Sequence, residues 1–593
     1  MEQKEKKNNI DFTLLKRVLV LAKPYRGLFA LAGFIGIALA PIAVLRPYLI
    51  QVTVDRYVLG LDLNGLQKMM VFLIGLLVLE TIMRYIFRYS SSLLGHSVIR
   101  DLRVKVFNHI SSLNLKYFDK TPIGTAITRT INDIETINSI FSQGVITIIA
   151  DILSLIAVLA IMLSTNWKLT LVCLTTFPFL MVATYVFKEK VKTSYQQVRT
   201  QITSMNTFLQ ERITGMRMVQ IFNAEERELN RFKDINGKYK KANLNAILYY
   251  AVFFPVIEII SAAALGLMVW YGARGVIGGE VTLGVLIAFP LYLNMLFRPM
   301  RMLADKFNTL QMGLIAAQRI FDVLDRTDKI ENKGTIKPTH FDGSIEFDEV
   351  SFAYTDEDWV LKNVSFDIKA GETLAIVGST GSGKSTIINI LNRFYKLQKG
   401  AIKIDGTNVK DYELNALRNR IAVVLQDVFL FSGSVFDNIT LRDKSISREK
   451  VIESAKMIGA HEFIMKLPDN YDYKVMERGA TLSMGQRQLI SFIRSLVFDP
   501  DILILDEATS SIDPETESVI QHAIETLIAK RTSIIIAHRL STIRHADKIM
   551  VLSKGEIQEL GSHEELLKIE DGHYKHLYEM QFSTREALEE VES

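Results

Sequence analysis

Six stretches in the first half of the chain are apolar almost without interruption: 27–50, 68–90, 138–163, 167–187, 247–273 and 281–300. A hydrocarbon layer about 30 Å thick needs about 20 mostly apolar helical residues, so each stretch meets or approaches the length of a membrane-spanning helix. The connections alternate in length: those at Ser164–Asn166 and Gly278–Glu280 are brief, whereas 91–137 and 188–246 are long. Arg100, Arg103, Lys105, Lys116, Lys120 and Arg129 lie on the first long connection, and Lys188, Lys190, Lys192, Arg199, Arg212 and Arg217 open the second. This excess of basic residues assigns both to the cytoplasm, and both termini with them. Neither is rich in Gly or Pro, and their mixed spacing predicts that the membrane helices continue beyond the bilayer, where about 20 further residues reach ~30 Å. Pro122 with Gly124, and later Gly215, interrupt that pattern, so a short turn or transverse helix is expected at each tip. A moving cytoplasmic domain could push there; an ordinary helical hairpin is the alternative.

The pattern changes in the second half. Between Asp322 and Lys337 the composition turns charged, and Ser344–Tyr354 alternates polar with apolar side chains as a strand does. The expected organisation is a cytoplasmic segment 1–26, a helical membrane domain 27–321, a linker 322–343, an α/β domain 344–582 and a charged tail 583–593. Composition agrees, since 49% hydrophobic residues over 593 positions is too apolar for a purely soluble chain. A net charge of +4 at this length gives no argument for nucleic acid, which is not expected as a partner. The single cysteine, Cys173, rules out an internal disulfide and a multi-cysteine metal site. The polar start, MEQKEKKNNIDF, lacks the features of a removable signal peptide.

Gly378–Ser385 reads GSTGSGKS, the GxxxxGK[ST] pattern, after the strand-like Thr373–Val377 and before the helix-like Ile387–Phe394. Backbone N–H groups from Gly378, Ser379, Thr380, Gly381, Ser382 and Gly383 are expected to face one phosphate-bearing anion. Lys384 would reach the β- and γ-phosphates of ATP, the Ser385 hydroxyl would bind Mg²⁺, and the helix opening at Ser385 and Thr386 would turn its positive end to the charge. Ile502–Leu505 is a continuous apolar run, as a buried parallel strand requires, and it delivers Asp506 and Glu507 at its carboxyl end. Asp506 is expected to orient the metal through water and Glu507 to polarise the attacking water. A further apolar strand, Ser533–Ala537, ends at His538, which would hold the γ-phosphate and the water in line; a structural histidine is the alternative.

ERGATLSMGQRQ (477–488), SSID (510–513), LKYFDKTPIG in the first long connection and GMRMVQIFNAEERE in the second complete a set of motifs that resembles a half-transporter of the ATP-binding cassette (ABC) exporter family over nearly the whole chain. The implied fold is a membrane α-helical bundle of six transmembrane helices with long cytoplasmic extensions, followed by an α/β P-loop NTPase domain of the ABC type. The resemblance implies that Tyr354 stacks on adenine and that Gln426 links Mg²⁺ to the membrane domain. It implies too that Ser483 and Gly485, with Met484 and Gln486 in the same loop, face ATP held by a partner's phosphate loop, and that Asp513 lies at the dimer interface. One departure stands out. The family's LSGGQ has glycine where this chain has Met484, which fits one half of an asymmetric heterodimer or a homodimer that tolerates methionine.

Charged residues well inside the apolar stretches are few, and Arg46, Glu80, Arg84, Asp151 and Glu258 are the ones of interest. Glu80 and Arg84, four apart, are expected to pair on one helix face. Asp151 and Glu258 would line a cavity for a cationic or amphipathic substrate, or pair with Arg46. The function expected is ATP-driven export of an amphipathic or hydrophobic compound across the plasma (inner) membrane, with a second half-transporter, the bilayer and an amphipathic small molecule, lipid or peptide as partners. An ATP-gated conduit or regulatory ATPase is the alternative.

Overall fold

The computed structural model describes residues 11–355, 358–506, 514–529, 531–536 and 543–580. They form two compact units: Met1–Ser111 with Ile123–Arg326, and Ser112–Pro122 with Thr327–Ser593.

The first unit is helical. A nine-residue helix, α1 (Phe12–Val20), is capped by Asp11, whose carboxylate accepts from the Thr13 and Leu14 N–H groups at 2.9 and 3.2 Å. It packs on the last helix of the unit through buried Val18, while Arg17 pairs with Asp325 and lies 4.1 Å over the Phe321 ring. The long elements follow: α2 (Arg26–Val52), α3 (Leu63–Ser111), α7 (Val145–Thr165), α9 (Phe177–Thr214) with the short α8 (Trp167–Leu174) before it, α11 (Glu225–Ile277) and α12 (Leu283–Leu324). At 1.5 Å per residue, the 53 residues of α11 extend for about 80 Å, well beyond a ~30 Å hydrocarbon layer. The predicted extensions are therefore continuous with the spans, and α9 packs along α11.

Among the described residues five helical segments are long and apolar enough to cross a membrane, and the sixth expected span carries the apolar stretch Leu283–Phe297 within the 42-residue α12. The fourth span is broken between α8 and α9. Pro178 has no N–H to offer the Leu174 carbonyl, so the helix restarts after Thr175 and Thr176, whose hydroxyls donate to the carbonyls of Val172 and Cys173 at 2.6 and 3.0 Å. Short helices α4 (Leu115–Lys120), α5 (Ile123–Thr128) and α10 (Met216–Ile221) occupy the two tips where Pro122 and Gly215 interrupt the pattern.

The membrane charges are paired differently from one of the two expectations. Glu80 takes two hydrogen bonds from Arg84, at 2.9 and 2.6 Å, as the spacing predicts. Arg46 turns to this same carboxylate, 3.6 Å away, and not to Asp151, which is held instead by Lys306 of α12. Lys306 lies beyond the apolar stretches, so no helical spacing points to it.

The second unit carries a six-stranded sheet in the order β12-β11-β3-β10-β9-β6, and a four-stranded antiparallel sheet in the order β2-β1-β4-β5. In the first, β3 (Thr373–Val377), β6 (Ile421–Val424), β9 (Ile502–Asp506), β10 (Thr532–Ile536) and β11 (Lys548–Ser553) run parallel, with β12 (Glu556–Gly561) antiparallel at the edge. β3 and β10 are buried at every position, the apolar run that a sheet covered on both faces demands. The second sheet contains β1 (Ile345–Ala353), β2 (Trp359–Ile368), β4 (Lys399–Ile404) and β5 (Thr407–Asn408). Its loops are tied by Asp405, whose carboxylate accepts from the N–H groups of Asp342, Gly343 and Ser344 at 2.8–3.0 Å.

Losing the carboxylate of Asp151 leaves Lys306 without its counter-charge in a largely enclosed place. Asp151→Asn is expected to destabilise the detergent-solubilised chain by about 2 kcal/mol, and Asp151→Asn with Lys306→Met to recover most of it. Thermal unfolding of the three chains checks this.

Candidate nucleotide site

β3 ends at Val377, and the chain turns at once into a loop that only glycine can make. Gly378 and Gly383 have φ of +154° and +108°, and a Cβ on either would lie 2.1 Å from the Leu552 carbonyl oxygen or 2.7 Å from the Leu361 side chain. Gly381 differs: at φ +84° its missing Cβ would meet open space, and it is exposed with Ser379 and Thr380. The loop is thus anchored at its ends and open at its crown.

The helix that follows, α13 (Lys384–Leu391), starts inside the loop. It neither begins at Ile387 nor reaches Phe394, because Arg393 adopts φ +53° while its guanidinium donates to the carbonyls of Val409, Tyr412 and Glu331 at 3.1, 2.8 and 2.6 Å. Lys384 is buried, and its Nζ donates to the carbonyls of Gly378 and Ser379 at 2.7 and 3.0 Å. Burial pushes its pKa below the usual lysine value, and the negative charge of Asp506 acts in the opposite direction. The Ser382 hydroxyl is buried without a partner, whereas Ser385, one residue into the helix, is exposed.

The other expected residues fall around this loop as follows. β9 ends on Asp506, half-buried and next to β10 and β6 in the sheet. Gln426 is exposed two residues past the end of β6. Tyr354 follows β1, and its hydroxyl stands 3.2 Å from the Thr386 hydroxyl and accepts from Asn389 at 3.2 Å. Glu507, Asp513 and His538 lie outside the described residues, as does Ala537 of the expected strand; β10 begins one residue earlier than expected, at Thr532.

The LSMGQ segment opens the 14-residue α18 (Met484–Val497). Ser483 is its cap: its hydroxyl accepts from Gln486 N–H at 3.2 Å and its own N–H donates to the Gln486 side chain at 3.1 Å. Met484 holds the first helical position with ordinary backbone angles, so glycine is not needed there for conformation, and its side chain is half-buried.

Two residues were not found from sequence. Tyr395 meets the Tyr354 ring edge-on at 5.0 Å and donates its hydroxyl to Asp119 of α4. Asn114 N–H reaches the Asp328 carbonyl at 3.0 Å in the same unit. The tip at Ser112–Pro122 is therefore part of the compact unit that holds the phosphate loop. No local pattern marks a contact between residues 276 positions apart.

Comparison with known proteins agrees with this layout. The profile of the ABC transporter transmembrane region matches residues 29–300, and a second profile, described as ABC transporter, matches residues 361–510. The chain belongs to the ABC transporter family. The ABC transporter ATP-binding protein YknV of Bacillus subtilis is 39% identical over 96% of this chain and 94% of its own length. The ATP-dependent lipid A-core flippase of Desulfotalea psychrophila is 38% identical over 96% of this chain and 99% of its own. YgaD of B. subtilis, named for multidrug export, is 35% identical over 96% and 99%. With one transmembrane region and one cassette on a single chain, this is an ABC half-transporter that hydrolyses ATP.

Tyr395→Phe removes only the hydroxyl that holds Asp119. ATP binding to the purified protein is expected to stay unchanged while substrate-stimulated ATP hydrolysis falls about threefold, the loss of roughly one charge-assisted hydrogen bond in coupling. A matched fall in binding and turnover would assign the residue to the nucleotide pocket alone.

Proposed function

We propose that this ATP-driven exporter, seated in the plasma (inner) membrane with both termini cytoplasmic, moves an amphipathic or hydrophobic compound outward as one half of a dimer. The observation that carries the reading is the inclusion of α4, the tip between two membrane helices, in the unit that builds the phosphate loop. Nucleotide events at Lys384 and Tyr354 then reach the helical bundle through Tyr395 and Asp119.

The residues fit MgATP. Gly381 leaves the crown of the loop open, the Ser382 hydroxyl has no internal partner, and the buried Lys384 ammonium is ready to exchange two carbonyls for phosphate oxygens. Ser385, Gln426 and Asp506 would hold Mg²⁺, which when bound offsets the negative charge between the β- and γ-phosphates. Tyr354 offers its ring to adenine. Glu507 takes a proton from the attacking water, and His538 keeps water and phosphate aligned.

Ser483, Gly485 and Gln486 face the nucleotide of the partner's cassette, and Asp513 lies at the same interface. ATP closes the pair only because it binds the closed form better than the open one; equal affinity would shift nothing. Hydrolysis removes that preference and resets the bundle. Here we assign the chain to an asymmetric heterodimer, because Met484 puts a thioether side chain beside the N–H donors that would meet the partner's γ-phosphate.

Glu507→Gln is expected to bind ATP normally, to lower hydrolysis by about a hundredfold or more, and to hold the closed form. Trapped radiolabelled nucleotide and cross-linking between cassettes measure both, and full turnover in this variant would reject Glu507 as the base. If Met484 weakens one site, Met484→Gly raises ATP hydrolysis of the native assembly severalfold, about the effect of 1 kcal/mol. Mass measurement of that assembly reports its subunits, and an active assembly of identical chains would overturn the asymmetric assignment.

A further inference from the structure

Around one carboxylate of the apolar helices, Glu80, the charge balance is the reverse of what a cation cavity needs, whereas Glu258 stands exposed on α11. Asp151 is already held by Lys306. Around Glu80, by contrast, the cations are in excess. Its carboxylate is almost fully enclosed, at 6% side-chain exposure, and faces two arginines: Arg84 on Oε1 and Arg46 at 3.6 Å from Oε2. That Oε2 has no hydrogen bond, so Arg46 contributes charge to the cluster without spending a donor on it. Arg46 and Arg84 remain 41% and 53% exposed. Arg88, one turn beyond Arg84, is exposed and has no ionic partner among the described residues.

The spacing along α3 gives these residues a direction. Lys68 and Arg88 are about 30 Å apart on a helix, the thickness of the hydrocarbon layer. With Arg88 at the cytoplasmic boundary, Arg84 stands about 6 Å and Glu80 about 12 Å inside it. Tyr85 and Tyr89, exposed and stacked at 6.2 Å between ring centroids, flank the two arginines on the same helix. Glu80 cancels one of the two deep positive charges and holds both guanidinium groups together. One deep cation and the boundary cation are left, with planar donor forks suited to a tetrahedral oxyanion.

We propose that Arg46, Arg84 and Arg88, organised around Glu80, bind the phosphate headgroup of an anionic amphiphile entering from the cytoplasmic leaflet. The proposal rests on the export reading and names the class of compound at its entrance. A bare cation inside hydrocarbon is costly, and a lipid phosphate supplies the missing charge while its chains stay in the layer beside the exposed apolar faces of α3. Tyr85 and Tyr89 sit where rings with one wet edge are favoured, at headgroup level.

The test uses the intact assembly in lipid discs of phosphatidylcholine, with or without phosphatidic acid, and native mass spectrometry to count retained lipids. Phosphatidic acid is expected to stay bound in preference to phosphatidylcholine. Arg88→Gln, which strands no buried carboxylate, is expected to weaken that retention about tenfold, and Arg88→Lys to keep part of it. Glu80→Gln combined with Arg84→Gln removes one charge of each sign and is expected to weaken retention as well, with thermal unfolding as the check that it folds. Unchanged retention in Arg88→Gln and in the folded double variant overturns the proposal. Inorganic phosphate displacing the lipid at matched concentration would assign the site to free anions, and subunit dissociation in Arg88→Gln would assign the cation to a partner's acid; either outcome overturns it. Retention needs no ATP turnover, so a chain that keeps phosphatidic acid but does not transport sinks the export reading and leaves this site standing.

Discussion

A lysine ammonium taken out of water and held by two backbone carbonyls is the interaction around which the nucleotide-binding unit is arranged. Lys384 donates to Gly378 and Ser379, and those carbonyls can be supplied only if the loop folds back on itself at positive φ. The fold-back in turn needs β3 buried on both faces, so that the loop leaves the sheet at a fixed point, and α13 starting at once, so that its unspent N–H groups converge on the same place. Burial weakens the charged form of this lysine, as its lowered pKa records, and a phosphate would restore what burial removes. The loop is strained in charge rather than in shape, and the phosphate is the natural counterpart of that charge.

The same rule applies in the helical unit with a different solvent around it. Where water is absent, a charge must find a partner inside the protein or in the lipid. Asp151 finds Lys306, and Glu80 finds two arginines. The unequal count at Glu80 has no equivalent at Asp151, so the two clusters differ in what they leave for a third party. One is closed; the other keeps cationic donors at the rim of the bundle.

The features legible in the sequence are those set by neighbours along the chain. The fully buried strands β3 and β10, and β9 up to its last residue, read as short apolar runs because a parallel sheet covers both their faces, and the Glu80–Arg84 pair follows from helical spacing. What was missed depends on partners far away in sequence. The end of α13 is decided by three carbonyls that capture the Arg393 guanidinium. The partner of Asp151 sits 155 residues later, and Asp119 is matched to Tyr395 across 276. The break at Pro178 is the exception: its missing N–H is visible in the sequence, but the surrounding apolar run hides it.

Met484 shows how a sequence departure changes meaning once the backbone is known. Glycine at that position in a related loop suggests a need for conformational freedom, yet this residue has ordinary helical angles at the first position of α18. Strain is therefore not the issue. The capping box uses the N–H groups of Ser483 and Gln486 on each other's side chains, and Arg487 N–H returns to the Ser483 carbonyl at 3.1 Å. The donors left at this helix end are the backbone N–H groups of Met484 and Gly485. The methionine side chain is half-buried, and it can change rotamer at small cost because it is unbranched. What the substitution changes at this helix end is therefore side-chain bulk, and neither the backbone conformation nor the dipole.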